Sequence, residues 1–581
     1  MAARRGIQYI PAIDGLRALA VIAVMLYHLG FTWIPGGFLG VDLFFVISGY
    51  VITRLLLDSI EQSGGLDLRG FYLARARRLL PALLFTVTTT TIAIGIWAPD
   101  TIKRFLTDIP FALTGTMNWW LVARQQDYFE SIGRAPLLQH TWSLAVEAQF
   151  YLLWPLILYF VLKRLGKNRI PIAALIIAGA SGVALLLVSL SLDASNTSKV
   201  SHVYFGTDTH SIGLFLGAAL AVSWIPQNFT TNVTKKAQDF IDGIGVFGFI
   251  GIIATFLLID ETKPTLYKIA FPLAALFGAS IIMSVVHPAS RFAPILQNPV
   301  LVWIGQRSYA IYLWHWIIFQ VTRPAVDLAG QMWALYALRI LIVFALADIS
   351  LRYVEQPIRR GALKNWTTGL KYRTKKERTT QTRTFALAFI VVFALAAVVS
   401  VRAISIGNEQ RAAIEESLGS TEISIVAPVD EGLWVTGDSV ILGIRATLGA
   451  QEPIALINAR IGRQAPELLE VMRSDKAEVA DSPVIFNLGN NGVLNRSDVE
   501  AIFEVVKYQS QIIVVNAAVD RPWREANNAL VAEIAKQYPA VTLIDWSAIS
   551  TGHPEYFAPD GIHLVPTGVA VYVEEILNAL K

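Results

Sequence analysis

Near the C-terminal end a short apolar run, Leu433–Val435, leads through Thr436 into Gly437-Asp438-Ser439. A serine just past a strand and beside a glycine can present its hydroxyl at a sheet edge, which suits a nucleophile. Further on comes Asp560-Gly561-Ile562-His563. An aspartate three residues before a histidine lets one loop aim both groups. His563 can take the serine proton, and Asp560 can hold the imidazole in the right tautomer. Between them Gly489-Asn490-Asn491 follows the strand-like run 484–488. Gly489 lets the backbone approach, and the Asn491 amide can donate to a developing oxyanion. Alone, each piece is an ordinary turn or loop. Their order and their placement at strand ends make them a set.

A second group of polar residues lies in apolar surroundings. Arg17 and His28 are three helical turns apart, on one face and about 16 Å apart along the axis. Asp42, within Gly40–Tyr50 (GVDLFFVISGY), needs a cationic or hydrogen-bonded partner. Arg17 or His28 can supply it, and a buried ion pair that only fixes helix packing competes with a chemical role. Arg75, Arg77 and Arg78 stand in FYLARARRLLP. They suit either a solvated, topology-setting cluster or a phosphate site for the nucleotide end of coenzyme A. Glu147, in HTWSLAVE, and His315, in YLWH, are candidate acid–base or substrate groups. Aromatic belts alone explain the neighbouring Trp and Tyr residues.

The elements that carry these groups follow from composition. The chain has 581 residues, of which 16% are charged and 54% apolar. Soluble proteins carry about 25% charge, so membrane spans are the simpler reading. Spans of about 20 apolar residues are expected at roughly 12–30, 37–57, 79–98, 142–163, 170–192, 210–225, 240–260, 268–286, 304–322, 333–353 and 384–404, which makes about eleven. The Trp-rich stretch 105–122, with Asp108 and Pro110, reads as interfacial or re-entrant. Arg4 and Arg5 lead into a retained first span rather than a cleavable signal. Basic residues then fall in alternate loops, above all between 359 and 383. This puts the N-terminus in the cytoplasm and everything after about 405 outside. Beyond that point short apolar runs alternate with amphipathic stretches, a parallel α/β pattern. The fold class expected is thus a multi-pass helical domain plus a C-terminal α/β domain. Without cysteine there is no disulfide, thiolate zinc site or cysteine nucleophile. Neither a metal nor a nucleic-acid partner is expected.

The C-terminal set resembles the SGNH hydrolase family, a flavodoxin-like α/β fold, over about 150 residues. The resemblance implies Ser439 as nucleophile, His563 as base and Asp560 as its orienter. It also implies an oxyanion hole made by Asn491 and the backbone amides of Ser439 and a glycine. Gly462 is the candidate for that glycine, with a simple turn as its competitor. Upstream, the Arg17–His28 spacing, GVDLFFVISG, FYLARARRLLP, HTWSLAVEAQFY and RYVEQPIRR together resemble membrane acyltransferase family 3, over about 8–360. That family implies acetyl-CoA or another acyl-CoA as cytoplasmic donor, Arg17 and His28 as essential, and the arginine cluster near the coenzyme.

The implied organisation is an acyltransferase domain over 8–360, a basic cytoplasmic loop over 361–383 and an extra span over 384–404. A linker over 405–430 leads to an extracytoplasmic SGNH domain over 431–581. Such a fusion is similar to bacterial peptidoglycan O-acetyltransferases of the cytoplasmic membrane and their polysaccharide-modifying relatives. The partners implied are the lipid bilayer, acyl-CoA and a cell-envelope glycan or glycolipid acceptor. A membrane-anchored O-acyl esterase and a transporter or lipid-carrier flippase are the competing readings. The acceptor stays open among peptidoglycan, a secreted polysaccharide, a glycolipid and a mycolate-type lipid.

Overall fold

The computed structural model describes the chain from residue 9 onward, apart from residues 64, 125–134, 191–196, 260–266, 325–326, 329, 370–371, 419–431, 461, 477–478, 480–481, 520, 522 and 559–560. Asp560 therefore lies outside the described residues.

The N-terminal part is helical. Helix α1 (Pro11–His28) opens on a proline, which suits a first turn where no donor is needed. Helices α2 (Gly40–Ser63) and α3 (Leu68–Trp97) follow, and Asp67 caps α3 by accepting from Gly70 N at 2.8 Å. The Trp-rich stretch forms two short helices, α4 (Ile102–Thr114) and α5 (Met117–Ala123), separated at Gly115, whose φ is +70°. It does not form a continuous span. Next come α6 (Trp142–Leu165), α7 (Ile170–Leu190), α8 (Thr197–Phe205) and α9 (Ile212–Ser223). They are followed by α10 (Lys235–Leu258), α11 (Tyr267–Val285), α12 (Ala293–Leu296), α13 (Pro299–Val321) and α14 (Met332–Ile349). A π-helical segment, Ser350–Glu355, joins α14 to α15 (Gln356–Arg359), and α16 is Ala362–Gly369.

Among the described residues nine helices are long and apolar enough to cross a membrane. Two of the eleven expected spans are not among them. The stretch 210–225 forms only the 12-residue α9, about 18 Å of helix against a hydrocarbon core of about 30 Å. It is an internal helix packed along α2. The stretch 304–322 forms most of α13, whose 23 residues suffice in length. Gln306, Arg307, His315 and Gln320 lower its apolar content. α13 crosses α1 with the backbones nearly touching: a Cβ on Gly305 would lie 1.8 Å from Asp14 O. Small residues permit such approaches where helices meet in lipid.

α17 (Lys375–Leu418) is one 44-residue helix. It takes in the end of the basic segment, the expected extra span and the first part of the expected linker.

The C-terminal part is a five-stranded, all-parallel sheet in the order β2-β1-β3-β4-β5. The strands are β1 (Leu433–Gly437), β2 (Ile454–Ala459), β3 (Val484–Asn487), β4 (Ile512–Val515) and β5 (Val541–Ile544). Side chains alternate between two faces, as strand geometry requires. Val435, Ile485 and Ile513 pack against α18 (Ser439–Gly449) and α23 (Pro566–Leu580). Trp434, Val484, Phe486 and Ile512 pack against α19 (Ala465–Asp475), α20 (Arg496–Val506) and α21 (Arg524–Ala535). The short α22 is Trp546–Ile549. This is the doubly wound, flavodoxin-like order. Its ligand crevice lies beyond the carboxyl ends of the strands, where the winding reverses between β1 and β3.

Candidate active sites

In the C-terminal domain Ser439 opens α18 directly after β1, at that crevice. It is 1% exposed, and its Oγ makes no hydrogen bond among the described residues. The start of a helix favours negative charge, so a serine oxygen there suits an alkoxide-like nucleophile. Gly437 ends β1 with φ +153°, and a Cβ on it would fall 2.1 Å from Asn487 Oδ1. Only glycine lets Asn487 lie against the turn. Asp438 N donates to Asn487 Oδ1 at 3.0 Å, and Asn487 Nδ2 donates back to Asp438 Oδ1 at 2.6 Å. The same carboxylate caps α18 by accepting from Val440 N at 2.9 Å.

Asp438 also organises the third loop. Its Oδ2 accepts from Asn490 Nδ2 at 2.9 Å and Asn491 Nδ2 at 2.8 Å. Asn491 Nδ2 makes a longer bond, 3.3 Å, to Arg463 O. Both amide hydrogens expected to face an oxyanion are thus engaged within the protein, and the longer bond is the one an oxyanion can replace. Gly489 has φ +100° and its carbonyl accepts from Asn527 Nδ2 at 3.1 Å. Gly462 has φ +76° on the loop after β2. Its neighbour Arg463 staples that loop, with Nη1 on Asn458 O at 2.5 Å and Nη2 on Asn458 Oδ1 at 2.8 Å. Burial pulls the Arg463 guanidinium below the usual arginine range, while Glu467, 3.9 Å away, acts against it. His563 is half-buried, and its carbonyl accepts from Ala558 N at 2.7 Å.

Among the helices a cavity of about 550 Å³ is lined by Arg17, Arg75, Arg78, Arg359, Glu147 and Tyr151, with others. Arg54 is a fifth arginine in the lining, paired with Asp58, and the guanidiniums gathered around this one space suit an anionic ligand. Arg77 is exposed and does not line it. Arg17 reaches Asp14 only at 3.5 Å. Glu147 accepts from Tyr151 OH at 2.7 Å, and that hydroxyl meets Ser48 Oγ at 2.6 Å. Tyr312, also in the wall, donates to His140 O at 2.8 Å.

His28 lies outside the cavity lining, at the end of α1 against α13. Its Nδ1 is 3.0 Å from His315 Nε2, and its ring sits edge-on to Trp316 at 4.7 Å. Asp42 departs from expectation. Neither Arg17 nor His28 partners it. His210 Nε2, at 3.1 Å, does, with the His210 ring stacked on Phe271 at 3.8 Å.

A family model described as an acyltransferase domain matches residues 10–352. The chain belongs to the acyltransferase 3 family. The match holds the whole arginine-lined cavity except Tyr9, Gln356 and Arg359, and it holds His28 and His315. Family relatives share both parts of this chain. A putative O-acetyltransferase of Staphylococcus aureus strain COL is 35% identical over 99% of this chain and 98% of its own length. O-acetyltransferase OatA of Staphylococcus aureus strain MRSA252 is 33% identical, over 99% and 96%. The C-terminal catalytic domain of peptidoglycan O-acetyltransferase A from Streptococcus pneumoniae aligns over 26% of this chain and 93% of its own, at 25% identity and a TM-score of 0.24. The chain is an O-acyltransferase and a multi-pass bacterial membrane protein.

Several residues of these sites were not singled out from sequence. Arg359 lies within RYVEQPIRR, and His140 and Tyr151 open and close HTWSLAVEAQFY, but none of the three has a role of its own in the sequence reading, nor does Arg463. Asp438 had a signal, as the middle residue of Gly437-Asp438-Ser439.

Proposed function

We propose that the protein carries acyl groups, acetyl in the first instance, from cytoplasmic acyl-CoA to hydroxyls of a cell-envelope glycan beyond the membrane. The observation that carries this reading is the pairing, in one chain, of an arginine-lined cavity among membrane helices with Ser439 at the crevice of a separate α/β sheet. Neither site alone accounts for both a donor and an acceptor. The basic residues between 359 and 383, just before α17, support a cytoplasmic N-terminus and an extracytoplasmic Ser439. Full-length similarity to O-acetyltransferases supports acetyl as the group moved. Peptidoglycan is the first acceptor to examine.

In this reading Arg17, Arg75, Arg78 and Arg359 hold the phosphates of the donor. His28 manages a proton, or accepts the acyl group transiently, as the thioester opens. On the outer side Ser439 Oγ bonds to the acyl carbon, its proton passes to His563 and on to the delivering group, and the bond from that carbon to the delivering group breaks. Asp560, outside the described residues, orients His563. The backbone amides of Ser439 and Gly462, with Asn491, hold the oxyanion. A sugar hydroxyl then gives its proton to the neutral His563 and attacks the ester, and His563 returns that proton to Ser439 Oγ as the acyl–serine bond breaks.

The test is Ser439→Ala in the full-length protein in cells, with mass spectrometry of envelope glycans. The acetyl increment should disappear while the variant still inserts in the membrane. Glycan acetylation at the wild-type level would remove Ser439 from the reaction.

A further inference from the structure

We propose that His315 is a positioning residue that fixes the tautomer of His28, so that the lone pair of His28 stands on Nε2. The inference rests on the reading that His28 handles a proton during acyl transfer. The argument begins at Tyr312. Its carbonyl oxygen lies 2.7 Å from His315 Nδ1. A carbonyl only accepts, so His315 Nδ1 carries the hydrogen. A neutral imidazole has one N–H, which leaves His315 Nε2 an acceptor. That atom is 3.0 Å from His28 Nδ1, so His28 Nδ1 donates and His28 Nε2 holds the lone pair.

The opposite polarity requires a doubly protonated His315. Its side chain is 0% exposed. Its ring neighbours are His28, His140, Tyr312 and Phe319, and no carboxylate contacts it among the described residues. A lone charge buried there is far costlier than the neutral ring. The direction of the chain, from His28 through His315 to the Tyr312 carbonyl, is therefore set by one backbone oxygen.

This arrangement does for His28 what a carboxylate does in a Ser-His-Asp set, with a neutral group in its place. When His28 Nε2 takes a proton, the imidazolium keeps its Nδ1–H on His315. Trp316, edge-on at 4.7 Å, limits rotation of the ring. Tyr312 ties the chain to the donor cavity, because it lines that cavity while its carbonyl anchors His315.

The test uses the full-length protein in nanodiscs, following coenzyme A release from acetyl-CoA. Glutamine can place its amide oxygen near the position of His315 Nε2 and accept from His28. Asparagine reaches only the Nδ1 position. His315→Asn and His315→Leu should lower kcat about 10- to 100-fold, the usual loss when a partner that orients a histidine is removed. KM for acetyl-CoA should stay within about two-fold, since His315 does not line the cavity. His315→Gln should restore most of kcat. In parallel, 15N spectra of histidine-labelled protein should show His28 protonated on Nδ1 in the wild type and moved toward the Nε2 form in His315→Leu. Wild-type kcat in His315→Asn, or a His28 tautomer unchanged in His315→Leu, overturns the proposal. Full turnover in His28→Ala would instead overturn the proton role of His28, and the 15N spectra would still decide the tautomer.

Discussion

Asp42 Oδ1 and His210 Nε2 are 3.1 Å apart, and both side chains are buried. His210 Nδ1 is 2.6 Å from the Tyr204 carbonyl and must carry a hydrogen there. The contact with Asp42 therefore needs one further shared proton, on the carboxyl or on the ring. Asp42→Asn can still donate an amide hydrogen to Nε2 of neutral His210. It is expected to keep donor turnover within about two-fold, whereas Asp42→Leu strands the ring and lowers stability by about 1–3 kcal/mol. Thermal unfolding in detergent, with coenzyme A release, checks both. Loss of turnover in Asp42→Asn at an unchanged melting temperature would show that Asp42 does chemistry rather than hold α2 in place.

The arginines of the cavity separate into those that face it and one that does not. If they hold the donor as proposed, Arg78→Ala or Arg359→Ala removes a charge-assisted bond to a phosphate, worth about 1.5–3 kcal/mol. KM for acetyl-CoA is expected to rise about 10- to 100-fold, with kcat much less affected. Arg77→Ala should leave both constants unchanged, since its side chain is exposed. Steady-state kinetics on the three variants tests the assignment, and a large KM effect from Arg77 would count against it.

Where α1 crosses α13, a methyl group has no room. Gly305→Ala would set its Cβ 1.8 Å from Asp14 O, so the helices must separate. Overpacking of this kind costs about 1–3 kcal/mol, and here it also stretches the 3.0 Å His28–His315 contact. Both melting temperature and turnover should fall. Gly179→Ala in α7, with nothing within 4 Å of the added carbon, is the matched control and should be neutral or slightly stabilising.

Asp438 accepts side-chain amide hydrogens from Asn487, Asn490 and Asn491 and caps α18 as well. Asp438→Asn turns an acceptor-only group into one that also presents donors to those three amides. With about 1.5–3 kcal/mol for each bond to a charged group, destabilisation of the sheet domain by at least about 3 kcal/mol is expected, together with loss of glycan acetylation. Hydrogen exchange of residues 432–581 in the full-length protein reads the first effect. Unchanged protection would mean that the three asparagines are held by something other than this carboxylate.

Much of the architecture follows from local pattern. The alternation along Leu433–Val435, Val484–Phe486 and Ile512–Val515 is a nearest-neighbour property, and it becomes the two faces of the sheet. Gly437-Asp438-Ser439 and Gly489 come to the crevice because parallel strands put all their carboxyl ends on one side. Pairings between distant segments are another matter. Nothing local to Asp42 points to His210, because the contact depends on how α2 packs against the segment leading into α9. Arg359 stands in RYVEQPIRR with no role assigned to it, and its place in the cavity wall depends on how the π-helical turn at Ser350–Glu355 leads into α15. The engaged Asn491 amide was also beyond sequence, since its partner, Asp438, sits on a different strand end. Length misled at 210–225, where an apolar composition without charge describes an internal helix as well as a lipid-spanning one.

α17 is the least enclosed of the long apolar helices. Only 6% of its apolar window is buried within the protein, against 78% for Gly37–Gln62. At 44 residues it extends about 66 Å. It meets the bundle at Val399, against Gly95 of α3, and at Gly407, where a Cβ would lie 3.1 Å from Pro99 O, and Ala403 is buried between them. Away from these positions its apolar stretch is free to drift in sequence so long as it stays greasy and helical. An unrelated apolar sequence over 384–404, with Val399 and Ala403 retained and Gly407 untouched, should serve in its place.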